Sequence, residues 1–170
     1  FSRTFDVVVN PVNDNPTLNA ISNVTIDEDA PEQTGNLTGI TAGGGETQPL
    51  AVTAVSSNTS LLANPTVVYT SAEATGSLKL TPLADQHGTS TITVTVEDGG
   101  LDNNLTTTED NATITHTFDV TVNPVNDLPT LDPIADVTID EDAPEQTGNL
   151  TGITAGGGET QPLAVTAVSS

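Results

Sequence analysis

The sequence predicts an all-β protein in which a sandwich of seven short strands recurs in tandem every 113 residues. Two observations predict this fold. Apolar and polar residues alternate through segments rich in Val, Ile and Thr, and clusters of Gly, Pro, Asn and Asp separate these segments. The later part of the chain also repeats the earlier part. No segment keeps a helical period over any length.

The internal repeat sets the domain organisation. Residues 118–170 repeat residues 5–57 with differences at six of 53 positions, and the copies are identical from residue 24 to residue 57. A period of 113 residues is too long for a solenoid and fits a small domain. We therefore expect residues 1–12 to be the last strand of a preceding repeat. Residues 13–125 are expected to be a complete repeat, and residues 126–170 the first part of the following one. The sequence Asn-Pro-Val-Asn-Asp, at residues 10–14 and 123–127, marks the seam.

The strands follow from the alternation, which is strictest in residues 90–97 and 117–123. Their apolar residues are predicted to form the inward face: Ile92, Val94, Val96, Phe118, Val120 and Val122. Residues 17–18 begin the first strand, and weaker strand signals occupy residues 24–26, 36–40, 50–56, 66–70 and 77–81. About seven strands in roughly 100 residues is typical of a Greek-key sandwich of the immunoglobulin type.

Composition excludes several classes of function. The chain carries 23 acidic and two basic residues, a net charge of −21, which repels nucleic acid and anionic lipid. No apolar run approaches the ~18 residues of a membrane helix, and without Cys there are no disulfides or thiolate sites. No nucleophile motif such as Gly-x-Ser-x-Gly is present. Acidic chains poor in aromatic residues can be disordered, but the alternation supplies an apolar face that a disordered tract lacks.

Acidic residues are expected to collect at the two ends of the sandwich. The strand order places residues 27–29, the loop 84–88 and the exit linker 123–127 at the C-terminal end. It places the loops 43–46 and 97–102 at the N-terminal end, beside the linker 13–15. Oxygen ligands without His or Cys favour Ca²⁺. The candidate ligands from this placement are Asp27, Glu28, Asp29, Asp85, Asp98 and Asp102. The alternative is that these residues are ordinary turn residues on an acidic surface.

Three segments resemble cadherin motifs. Residues 26–35, Ile-Asp-Glu-Asp-Ala-Pro-Glu-Gln-Thr-Gly, look like the segment in which Glu precedes Asn-x-Pro-x-Gly-Thr. Residues 83–87, Leu-Ala-Asp-Gln-His, are similar to the loop with an Asp-Arg-Glu triplet, and residues 13–16, Asn-Asp-Asn-Pro, to the linker Asp-x-Asn-Asp-Asn-x-Pro. Overall the chain resembles the cadherin-like, immunoglobulin-like tandem repeats of very large bacterial surface proteins and adhesins.

The resemblance implies Ca²⁺ between successive domains. By it, Glu28, Asp85, Asn126 and Asp127 would be ligands at the C-terminal junction. Asn13 and Asp14 would serve the preceding junction. An Asp-x-Asp loop of cadherins corresponds here to the Gly-rich residues 41–46, so the expectation is one or two ions per junction rather than a cluster of three.

These observations predict a structural protein, not an enzyme. We expect a tandem array stiffened by Ca²⁺ at its junctions, acting as the stalk or fibre of an extracellular, bacterial adhesin-type protein. Its main partners would be the adjacent repeats of the same chain. Two alternatives remain open: a module that binds a surface glycan or a like domain on another cell, and a subunit of a filament in which neighbouring chains complete the partial repeat.

Overall fold

The computed structural model describes residues 1–169 and divides into two units. The first unit is Phe1–Asn123, and the second begins at Pro124. Within the described residues there is no helix long and apolar enough to cross a membrane.

The first unit is a two-layer β-sandwich, which confirms the predicted fold class. Its seven strands are β1 (Val24–Asp27), β2 (Gln33–Thr38), β3 (Leu50–Ser56), β4 (Thr66–Val68), β5 (Thr75–Leu80), β6 (Gly88–Asp98) and β7 (Thr113–Asn123). One sheet has the order β1-β7-β6-β3 and the other the order β2-β5-β4. Successive strands therefore change sheets between β1 and β2, β2 and β3, β3 and β4, and β5 and β6, as in Greek-key sandwiches.

Strand β6 is central to the larger sheet. It pairs antiparallel with β7 over ten residue pairs, from Gly88↔Val122 to Glu97↔Thr113. On its other side it pairs antiparallel with β3, from Leu50↔Asp98 to Ser56↔Ile92. The far side of β7 pairs in parallel with β1, from Val24↔Val120 to Asp27↔Asn123.

The core lies between the sheets and contains every residue predicted for the inward face. Ile92, Val94 and Val96 of β6 are buried, together with Phe118, Val120 and Val122 of β7. They belong to one cluster with leucines of the other sheet, among them Leu37, Leu78 and Leu80. Burial of alternate side chains from both sheets is the main stabilising term in such a sandwich.

Only β3 has the predicted limits, and the other strands begin or end up to four residues from them. Strand β2 ends at Thr38 rather than residue 40, because Gly39 has a φ of +69° and turns the chain. Residues 17–18 contribute one isolated bridge, between Thr17 and Thr41. Strand β7 begins at Thr113, earlier than predicted, because the eleven-residue β6 offers partners along its whole length.

The second unit contains a second copy of the segment that forms β1, β2 and β3 in the first unit. Residues 137–140, 146–151 and 163–169 repeat the sequences of β1, β2 and β3, yet the described part of this unit contains no strand. It keeps one bridge, between Thr130 and Thr154, which repeats the Thr17–Thr41 bridge. In the first unit, β1, β2 and β3 pair with β7, β5 and β6. Residues 124–169 contain no copy of those three strands.

Residues 1–12 are also without strand structure. Phe5 is 84% exposed, whereas its counterpart Phe118 is 3% exposed within β7. A strand of this sequence needs partners like β1 and β6, and the described residues of the first unit already pair those strands with β7. The assignment of residues 1–12, 13–125 and 126–170 to three repeats stays a prediction.

The repeat supplies a matched pair of substitutions that tests the core. Leu37 is 1% exposed and its counterpart Leu150 is 42% exposed, in identical local sequences. We expect Leu37→Ala to lower the free energy of unfolding by about 2–5 kcal/mol because it opens a cavity in the core. Leu150→Ala should change it by less than about 0.5 kcal/mol. Urea unfolding followed by the fluorescence of Tyr69, the single tyrosine, would measure both. Equal losses for the two variants would contradict the described core.

Candidate metal centres

Two groups of oxygen-bearing side chains lie at opposite ends of the first unit. We call the group near the end of β6 the N-terminal pole; it contains Asn13, Gln48, Glu97, Asp98, Asp110 and Asn111. We call the second group the C-terminal pole; it lies at the ends of β1 and β7 and in the loops that follow β1 and precede β6. It contains Asp27, Glu28, Asp29, Asp85, His87 and Asn123.

Asp98 organises the N-terminal pole. It is the last residue of β6 and is 0% exposed. Its Oδ1 accepts hydrogen bonds from the backbone N–H of Gly100 at 3.0 Å and of Ala112 at 2.9 Å, and from Asn13 Nδ2 at 3.1 Å. The carboxylate thereby ties both ends of the loop between β6 and β7 to the seam residue Asn13.

The second oxygen of Asp98 is different. Oδ2 is buried and has no hydrogen-bond partner among residues 1–169. The same holds, within the described chain, for Gln48 Oε1 and Asn111 Oδ1. Each of these three atoms can only accept, and a buried acceptor without a donor costs about 1–3 kcal/mol. Buried groups of this kind call for a water, an ion or a ligand.

Hydrogen bonds connect these residues into one network. Gln48 Nε2 donates to Asn13 Oδ1, and Asn13 Nδ2 donates a second bond to the backbone oxygen of Asp110 at 2.9 Å. Asn111 Nδ2 donates to Glu97 Oε1 at 3.1 Å, and the Asp110 carboxylate accepts from the N–H of Leu101 at 2.8 Å. The pole therefore combines carboxylate, amide and backbone oxygens, the mixture of ligands that Ca²⁺ takes.

The Gly-rich loop holds the seam against this pole. The backbone N–H of Asp14 donates to Glu46 Oε2 at 3.2 Å. Gly43 and Gly44 have φ values of +90° and +48°, and a Cβ at either position would overlap Asn15 or Asp14. The loop is thus a turn shaped to fit the seam, and Glu46 rather than an Asp-x-Asp pair faces it.

Asp102 is not part of this network in the structure. Its carboxylate accepts from the N–H of Asn104 at 2.9 Å and from Thr107 Oγ1 at 2.8 Å. Both partners lie in the same loop, so Asp102 shapes that loop locally.

The C-terminal pole brings together the loops after β1 and before β6. Glu28 is buried at 3% exposure; its N–H donates to the backbone oxygen of Asn123 at 2.9 Å, and its Oε2 lies 3.4 Å from His87 Nδ1. Asn123 Nδ2 donates to Asp27 Oδ1 at 3.2 Å.

Asp29 and Asp85 approach each other at the same pole. The N–H of Asp85 donates to Asp29 Oδ1 at 3.3 Å, and carboxylate oxygens of the two residues lie within 4.8 Å. Both residues have positive φ values, 62° and 58°, in turns where Asp is tolerated. Two carboxylates this close repel each other, and a cation between them removes the repulsion.

Asn126 and Asp127 lie in the second unit. Asn126 Oδ1 accepts from Gln161 Nε2 at 2.8 Å, and the N–H of Asp127 donates to Glu159 Oε2 at 3.1 Å. These contacts repeat those of Asn13 with Gln48 and of Asp14 with Glu46. Each seam is therefore held by the repeat that follows it. The assignment of all ten candidate residues as Ca²⁺ ligands stays a prediction.

Sequence reasoning missed Gln48, Asp110 and Asn111. Gln48 lies between a turn and β3 and carries no charge, so the pattern of carboxylates does not include it. Asn13 and Gln48 recur as Asn126 and Gln161 with the same separation of 35 residues. This shared separation is the signal that could have paired them. Asp110 and Asn111 lie in a loop without periodicity, where no sequence pattern places them near Asp98.

No known protein family model matches the chain, and no curated protein matches its sequence. Among solved structures it is similar to domains 4 and 5 of the S-layer protein SbsC, with 18% identity and a TM-score of 0.42 over 64% of this chain and 54% of that one. Domains 4–9 of SbsC give 17% identity and a TM-score of 0.38 over 86% and 22%. The titin domains z1z2 in complex with telethonin give 14% and 0.38 over 73% and 55%. The chain thus spans about half of the first of these structures, 54%.

The structural part of Asp98's role can be tested without metal. In chelator, Asp98→Ala removes the acceptor of two backbone N–H groups, each worth about 1–3 kcal/mol when left unsatisfied, so we expect a loss of roughly 2–6 kcal/mol. The matched control is Asp6→Ala, in an exposed position, with an effect of less than about 0.5 kcal/mol. Urea unfolding measures both, and an unchanged stability of Asp98→Ala would contradict the described network.

Proposed function

We propose that the chain is part of a tandem array of β-sandwich domains that Ca²⁺ stiffens at its junctions, forming the stalk or fibre of an extracellular adhesin-type surface protein. The observation that carries the calcium part is the fully buried Asp98, whose Oδ2 has no donor within residues 1–169. Two other buried oxygens of the same pole, Gln48 Oε1 and Asn111 Oδ1, also have no donor among these residues.

The array part of the proposal is supported by the repeat itself. Residues 24–57 and 137–170 are identical, including loops. Loops that recognise different ligands must differ in sequence, whereas a spacer needs the same geometry in every unit. Identity of the loops therefore favours a spacer over a binding head.

The cation is proposed to act through electrostatics at the poles. Asp29 and Asp85 approach within 4.8 Å, and the whole chain carries a charge of −21, so without a divalent cation these carboxylates repel. The seam is short: Asn123 is bonded to Asp27 in the first unit, and Asn126 to Gln161 in the second, with only Pro124 and Val125 between them. Neutralising the poles removes repulsion close to these two residues. Ca²⁺ sites of extracellular modules typically have Kd values of about 10⁻⁴–10⁻³ M, which suits a chain that works outside the cell.

Calcium binding has a direct test. We expect Ca²⁺ to release or absorb heat in a titration of the full chain and to raise its melting temperature, since binding to the folded state at 100 times Kd adds about 2.7 kcal/mol. Asp98→Asn keeps the acceptor for Gly100 and Ala112 but removes the charge, and should abolish the response of the N-terminal pole. The double variant of Asp29→Asn and Asp85→Asn should do the same for the C-terminal pole.

The matched control is Asp102→Asn, which removes an equal charge from a loop carboxylate with its own local partners. It should leave the calcium response within about twofold, since exposed charges are screened. If Ca²⁺ gave neither heat nor a change in melting temperature with the unaltered chain, the calcium proposal would be wrong.

Stiffening is a separate prediction. Small-angle scattering of the full chain should show a longer and less variable particle in Ca²⁺ than in chelator, at equal ionic strength set with NaCl. The Asp98→Asn variant combined with the Asp29→Asn and Asp85→Asn pair should scatter alike in both buffers. Superimposable curves for the unaltered chain would leave Ca²⁺ binding in place but remove stiffening from the proposal.

A further inference from the structure

The amide groups of Asn13 and Gln48 form a directed pair at the N-terminal pole. Gln48 Nε2 donates to Asn13 Oδ1, which turns the Asn13 NH₂ group toward Asp98 Oδ1 at 3.1 Å and the Asp110 backbone oxygen at 2.9 Å. Gln48 is 5% exposed, and its Oε1 has no donor within the part of the chain that the structure describes. One end of the pair is thus satisfied and the other is not.

The Asn13 NH₂ group is the partly positive group that faces Asp98 Oδ1 and the Asp110 backbone oxygen. Its two hydrogens point to two oxygens, one of them on a buried carboxylate. An amide NH₂ carries only a partial positive charge, so it compensates Asp98 weakly, and Asp98 Oδ2 receives nothing from it.

We propose that Asn13 and Gln48 turn over together when a divalent cation binds at Asp98, so that the pair exchanges an NH₂ group for an oxygen ligand. This proposal rests on the calcium site proposed above and adds how that site is switched. Turning both amides by about 180° changes little in shape, because each amide group is planar and the turn only exchanges its oxygen with its NH₂ group.

The turned arrangement exchanges the hydrogen-bond partners of both amides. Asn13 Oδ1 then faces Asp98 Oδ1 and the Asp110 backbone oxygen, giving three oxygens around one point. Asn13 Nδ2 donates to Gln48 Oε1, which lacks a donor in the present arrangement, while Gln48 Nε2 moves into the buried position that Oε1 leaves. The turned state is therefore stabilised by the cation and not by the Gln48 amide. Three facing oxygens repel unless a cation lies between them, so the turned state forms only with the ion and the present state only without it.

The second unit shows that the pair does not depend on Asp98. Gln161 Nε2 donates to Asn126 Oδ1 at 2.8 Å, the same direction as in the first unit, although residues 124–169 contain no counterpart of Asp98 or Asp110. Pairing is therefore a property of the repeated segment, and the response to a cation requires the loop between β6 and β7 that only the first unit contributes among the described residues.

Side-chain amide NMR on the full ¹⁵N-labelled chain tests the exchange. In chelator, the Asn13 NH₂ protons should show nuclear Overhauser contacts to the N–H of Gly100 and Ala112, which share the Asp98 acceptor with them. In Ca²⁺ these contacts should be lost and replaced by contacts to the Gln48 side chain. Shifts of Gly100 and Ala112 with unchanged Asn13 contacts would overturn the exchange and leave the calcium site standing. No shift at Gly100 or Ala112 would overturn both.

A substitution at Gln48 provides an independent test. Gln48→Glu can accept from Asn13 but not donate, so it favours the turned state; we expect about three- to tenfold tighter Ca²⁺ binding, the worth of about one hydrogen bond, and lower stability in chelator. Thr47→Glu adds the same charge next to it on an exposed side chain and controls for simple attraction. Equal tightening by both variants would overturn the exchange.

Discussion

The pairing of β6 with β7 is the interaction on which the rest of the structure depends. These two eleven-residue strands supply six of the buried core side chains and the partners of both β1 and β3. Where they are present, the repeated segment folds into three strands of a closed sandwich. In the second unit, whose described residues hold no copy of them, the same segment keeps one bridge and exposes its leucines. Strand formation here follows from burial between two sheets rather than from local preference.

The same pair of strands positions both candidate centres. Strand β6 begins at Gly88, beside the loop with Asp85 and His87, and ends at Asp98. Eleven extended residues place its ends about 35 Å apart, at ~3.3 Å per residue. Asn123 ends β7 at one pole, and Ala112 immediately precedes β7 at the other. The first unit thus carries one group of acidic and amide side chains at either end of the β6–β7 ladder.

The candidate centres could be foreseen in part. Acidic turns at the ends of alternating strands predicted that residues 27–29 would meet the loop 84–88, and Asp29 and Asp85 do meet. The contact of Asn13 with Asp98 followed from the same strand order. The positions of Gln48, Asp110 and Asn111 did not, because neutral amides and backbone oxygens have no periodic signature and only the fold brings them close to Asp98. Asp102 has the residue type expected of a ligand but bonds within its own loop.

The sequence by itself determined the period, the strand faces and the residue types at the ends, because alternation and repetition are written along the chain. Only the tertiary structure decided which copy of an identical segment becomes a sheet. Ile26 is 7% exposed and Ile139 is 61% exposed, yet each lies in the same Val-Thr-Ile-Asp sequence. The difference is the presence of β5, β6 and β7 opposite the first copy. A strand forms only when another strand satisfies its backbone hydrogen bonds and a second sheet covers its apolar face.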